Sequence, residues 1–99
     1  MTRDGDRVTL SGPLNLQTVP AVLRFGLENF LDGARIVDFA GVTEVDSSAV
    51  AMAIEWVRAM RQQAAAGAGP AAGLHFVNLP PGFVSLAQLY GLAGLLPVD

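Results

Sequence analysis

Cysteine is absent from all 99 residues, which excludes disulfides, thiolate catalysis and zinc–thiolate sites. Lysine is absent as well. The six basic residues are all arginines scattered along the chain, and with nine acidic residues the net charge is −3. No basic stripe exists to follow a nucleic-acid backbone. Charged residues make up only 15% of the chain and apolar ones 52%; a typical domain carries about a quarter of its residues as charges. Either a partner covers part of the surface, or solubility is modest. No uninterrupted apolar run reaches the roughly 18 residues of a membrane helix. The polar start, Met1 to Arg7, also lacks the apolar run of a signal peptide. The expectation is a soluble, cytoplasmic protein forming one domain over residues 1–99. Any attachment at the inner membrane would come through a partner.

Catalytic and cofactor constellations are equally scarce. His75 is the only histidine, and no carboxylates stand at metal-ligand spacing around it, so it is read as structural with no metal and no cofactor. Ser47, His75 and Asp38 formally supply a triad, but no G-x-S-x-G nucleophile elbow frames the serine. Gly67-Ala-Gly69 lacks the Lys-Ser/Thr of a phosphate-binding loop. No enzyme is expected.

What is present has a regular order. Arg7 to Ser11 alternates polar and apolar, breaks at Gly12-Pro13 and resumes at Leu14 to Leu16, which predicts an edge hairpin. Val19, Val22, Leu23, Gly26, Leu27 and Phe30 fall at helical spacing, so a helix is expected from Val19 to Leu31, stopped by Asp32-Gly33. Ala34 to Ala40 reads as a central strand, and Gly41 to Val45 as a loop. From Ser47 the pattern is helical for about five turns, with two apolar stripes. Val50, Ile54 and Val57 lie in one, and Met52 and Trp56 in the other. Ala64 to Gly73 is a linker by composition. Leu74 to Leu79 predicts a strand, Pro81 to Gly91 a helix, and Leu95 to Val98 an extended tail. Strands alternating with helices predict an α/β fold with a largely parallel sheet.

The densest small-polar cluster is Asp46-Ser47-Ser48, where the long helix should begin. Asp46 is placed to cap it, accepting from backbone N–H groups that lack helical partners. Hydroxyls on the first turn sit at the positive end of the helix dipole, where a phosphate would also be stabilised. Ser47 and Ser48 are therefore both candidates for a partner contact or for phosphorylation. Met52 and Trp56, four residues apart, are expected on an exposed or partner-covered face, because aromatic and Met residues often anchor interfaces.

These residues resemble a known family. Val37-Asp38-Phe39, then Val45-Asp46-Ser47-Ser48-Ala49-Val50-Ala51, is similar to the signature of STAS domains, in which a strand ends in Asp and a later Asp-Ser/Thr-x-Gly opens a helix. The MlaB-type subfamily, the small STAS subunit of Mla phospholipid-trafficking ABC transporters, is resembled further at Asp6 to Gly12, at Leu86 to Leu92 and at Leu95-Leu96-Pro97. The resemblance implies a STAS fold: a small mixed sheet of about four to five strands with helices packed on it. It implies a non-enzymatic module that binds the ABC transporter ATPase subunit, and the family's usual Thr after the Asp falls on Ser47, which makes Ser47 the stronger contact candidate. The helix start at Ser47 and Ser48, with the neighbouring Met52 and Trp56 face, is expected to form that contact. Anti-sigma-factor antagonists share the motif and carry their phosphorylated hydroxyl at the position of Ser48, so a switch partnered by an anti-sigma factor kinase is the alternative. The family's glycine after this site is Ala49 here.

Overall fold

In the computed structural model, residues 1–65 and 73–97 are described. They form β1 (Thr2–Asp4), β2 (Arg7–Leu14), α1 (Val19–Leu31), β3 (Ile36–Val45), α2 (Ser47–Ala65), β4 (His75–Val77), α3 (Pro81–Leu89) and a 3-10 turn (Ala93–Leu95). The sheet runs β1-β2-β3-β4; β1 is antiparallel to β2, and β2, β3 and β4 are mutually parallel. Each parallel step crosses through a helix, as parallel neighbours require.

Strand alternation decides which face is core. Val8 and Leu10 of β2, Val37 and Phe39 of β3 and Phe76 of β4 are fully buried beneath the helices. The intervening Arg7, Thr9, Ile36 and Asp38 are half-buried and His75 is exposed, so the opposite face is the wetter one.

Helix α1 occupies the residues its spacing predicts. Its first turn carries Pro20, which lacks only an N–H that would have no helical partner. Gly33, at φ +106, follows its C-cap. Helix α3 ends in a Schellman arrangement: Leu92 donates to Ala87 O at 2.8 Å and Gly91, at φ +70, to Gln88 O at 3.0 Å.

Three boundaries differ from the sequence reading. The edge hairpin lies earlier, between β1 and β2 through Gly5-Asp6, with Gly5 at φ +60. Gly12-Pro13 does not turn the chain; β2 continues through a register irregularity there, beyond the reach of β1. Gly41 to Val45 is not a loop but the second half of β3, paired with Ser11 to Leu14. Gly41 suits that pairing, because a Cβ there would stand 2.8 Å from Leu10 O. The C-terminal tail starts later than expected: Leu95 closes the 3-10 turn, Leu96 is extended, and Pro97 O accepts from Phe76 N at 2.9 Å. The linker expected at Ala64 to Gly73 falls mostly at residues 66–72, outside those described, and α2 runs to Ala65.

The central correction concerns α2. Met52 and Trp56, expected on a contact face, are 2% and 0% exposed. The Trp56 indole donates to Leu23 O at 3.0 Å and meets Phe30 edge-on at 5.3 Å, with Phe76 at 6.4 Å. Gly26 of α1 makes room for it, since a Cβ there would lie 2.5 Å from two indole carbons. The buried stripe of α2 is Ala49, Val50, Met52, Ala53, Trp56 and Met60, leaving Ile54 and Val57 half-buried toward the outside. Packing against both the sheet and α1 demands this wider stripe.

Candidate functional site

Strand β3 delivers the chain to α2 through one residue. Val45 still pairs with Leu14, and Asp46 N donates to Leu14 O at 3.2 Å. The next residue is already helical. Asp46 caps α2: its Oδ1 accepts the Ser48 backbone N–H at 2.8 Å and also the Ser48 hydroxyl, and its carbonyl accepts from Ala49 N at 3.1 Å. The Ser48 hydroxyl is the largest influence holding the Asp46 carboxyl below its ordinary range. Backbone N–H groups of Ser48, Ala49 and Leu16 add to it and outweigh the opposing effect of burial.

The two serines are therefore not equivalent. Ser48 is half-buried with its hydroxyl donating to Asp46, whereas Ser47 is exposed and carries no such tie. One turn on, Ala51 is exposed too, and Ser47, Ala51 and Ile54 follow one another at i, i+4, i+7. Met52 and Trp56 point away from this surface into the core.

Sequence reasoning missed Leu16. The β2–α1 connection is a polar turn in which Asn15 Oδ1 accepts from Gln17 N at 2.9 Å and Thr18 N at 3.1 Å. The Thr18 hydroxyl donates to Pro13 O at 2.9 Å and accepts from Asn15 N at 2.9 Å. The turn leaves the Leu16 side chain 74% exposed while its amide faces Asp46. The Asn-x-x-Thr spacing was the available signal, since both side chains favour closing a local turn.

The formal triad is dispersed. Asp38 is taken up by Arg7 at 2.8 Å, Ala40 N at 2.9 Å and Asn78 at 3.0 Å, and the Asn78 bond is the first cause of its lowered pKa. His75 pairs with Ile36 at the start of β3, whereas Ser47 follows its end. Nine strand steps separate those ends by about 30 Å. Among the described residues no group of three or more His, Asp or Glu is placed to hold a metal ion. No helix among them is long and apolar enough to cross a membrane.

The comparisons agree with this architecture. A family model described as "Mlab, STAS domain" matches residues 1–97. Among solved structures, the anti-sigma factor antagonist SpoIIAA in its unphosphorylated form is similar, with a TM-score of 0.59 and 21% identity. That match covers 94% of this chain and 77% of the other, and at such identity it shows a common fold. No curated protein sequence matches.

Proposed function

The chain belongs to the MlaB-type STAS domain family, and from that premise we propose that it is a non-enzymatic module docking on the cytoplasmic ATPase subunit of an Mla-type phospholipid ABC transporter. Docking supports the assembly or activity of that complex, and it places the chain at the inner membrane only through its partner. The contact is the start of α2. The observation that carries this reading is the exposed Ser47 hydroxyl on a capped first turn, with exposed Ala51 one turn on and exposed Leu16 held by its amide at the capping Asp46. An apolar side chain rimmed by small polar groups, on a backbone fixed by hydrogen bonds, is what a close-packed protein contact uses. Ser47→Glu puts bulk and charge into that contact and is expected to reduce recovery of the cognate ATPase in a pull-down by at least about tenfold, as truncated or reversed central contacts do. Undiminished recovery contradicts the site.

The second reading, an anti-sigma-factor antagonist switched by phosphorylation, rests on the Ser48 hydroxyl donating to the capping Asp46 carboxylate at the helix start. A phosphate on Ser48 would face the Asp46 carboxylate and break the cap, which couples modification to the shape of this surface. Incubation with a candidate anti-sigma factor kinase and ATP, followed by intact mass, decides it; an unmodified mass removes this reading.

A further inference from the structure

Ile54, Val57, Arg58, Arg61 and Gln62 of α2 and Leu95 of the 3-10 turn line a groove of about 330 Å³. Its apolar walls are Ile54, Val57 and the 44%-exposed Leu95, and its rim carries two guanidinium groups. That charge runs against the chain's own net −3. It is also poorly neutralised from within. Among the described residues, Arg58 has only Glu55, at 3.4 Å with both side chains exposed, and Arg61 makes no hydrogen bond or ion pair. Exposed pairs of that length hold little energy, so an incoming carboxylate displaces Glu55 at small cost.

The groove continues the surface described above. Ser47, Ala51, Ile54, Arg58 and Arg61 step along α2 by four and three residues, one seam about 20 Å long at 1.5 Å per residue. Most of the lining belongs to this single helix face, so the groove lies open along α2. An open groove suits a laid-down chain segment better than a small ligand, which needs most of its surface enclosed. We propose that this groove receives an acidic amphipathic segment of the protein that contacts Ser47, inserting an aliphatic side chain between Ile54, Val57 and Leu95 and placing carboxylates on Arg58 and Arg61. The proposal rests on the docking reading and adds the partner's chemistry to it.

Binding of the purified cognate ATPase, titrated at low and high salt, tests the groove separately from the helix start. Arg58→Glu/Arg61→Glu lies on exposed positions where Glu is as good a helix former, and circular dichroism verifies the fold. Its affinity is expected to fall at least about tenfold, with a flatter salt dependence. Glu55→Gln is expected to bind a few-fold more tightly, because it removes the internal competitor for Arg58. Unchanged affinity and salt dependence in the double variant, with Ser47→Glu still impaired, overturns the groove and leaves the docking reading standing. A wild-type chain that does not bind the ATPase overturns both. Self-association of the chain alone, abolished by the double variant, assigns the groove to a second copy and overturns the proposal.

Discussion

Gly26 and Trp56 show how one residue sets the depth at which α2 packs. Glycine inside a helix costs about 1 kcal/mol relative to alanine, so Gly26→Ala would stabilise an isolated α1. In the folded chain the added carbon lies 2.5 Å from two indole carbons. The indole has little freedom to retreat, held by Leu23 O and bounded by Phe30 and Phe76. Overpacking of this kind costs about 1–3 kcal/mol and exceeds the propensity gain where the neighbour cannot move. Gly26→Ala is expected to destabilise by about 2 kcal/mol, or roughly 10 °C in Tm by calorimetry for a chain this size. An unchanged or raised Tm would show that the indole relaxes.

The same pair explains why Met52 and Trp56 were misplaced from sequence. Both apolar stripes of α2 are plausible core by periodicity alone. Which one turns inward depends on a glycine thirty residues earlier and on a carbonyl that accepts the indole N–H, and neither leaves a mark in the helix's own pattern. Asp46 was legible because an N-cap is a local device. Leu16 was not, because its closeness to Asp46 arises only when β2 and β3 pair to their ends.

At the level of elements, the ends of strands were the hard part and the helices the easy one. Helix α1 carries its periodicity, its early proline and its stopping glycine within itself. Strand β1, Thr2-Arg3-Asp4, is polar and short and is held by backbone pairing with β2, so no alternation announces it. Gly41 to Val45 has exposed Thr43 and Glu44 and reads as a loop, yet its backbone completes the β2–β3 ladder and carries Asp46 into position.

That cap ties α2 to pH. Asp46 and Asp38 both have lowered pKa values in the folded chain, the first chiefly through the Ser48 hydroxyl and the second through Asn78. A lowered folded value means stability that is fully present above the ordinary aspartate pKa of about 3.9 and is lost as pH falls through the folded values. Urea midpoints are therefore expected to hold steady from neutral pH to near that value and to drop below it. Asp46→Asn keeps an acceptor for the Ser48 N–H without the charge, so its midpoint should decline less steeply, leaving the share due to Asp38. An identical acid slope in the variant would remove Asp46 from the account.

For the molecule as a whole, the low share of charge acquires a place. Leu16 stands out at the start of α2, and the groove of Ile54, Val57 and Leu95 lies further along the same helix. Both ends of one seam are suited to cover by another protein, whereas the opposite sheet face carries Arg7, Asp38 and His75 and is suited to water. The family and the STAS fold were legible in the Asp46-Ser47-Ser48 motif and the element order. The surface was not, because it depends on which α2 stripe the core consumes.

The absence of native cysteine allows a direct reading of that surface. Ser47→Cys and, on β1, Asp4→Cys each place one thiol on an exposed position, and maleimide labelling of each is followed by mass with and without the cognate ATPase. The expected result is labelling at position 47 slowed at least about tenfold by the ATPase, as burial in a specific contact requires, with position 4 unaffected. Unchanged labelling at position 47 beside protection at position 4 would place the partner on the other side of the molecule and contradict the account.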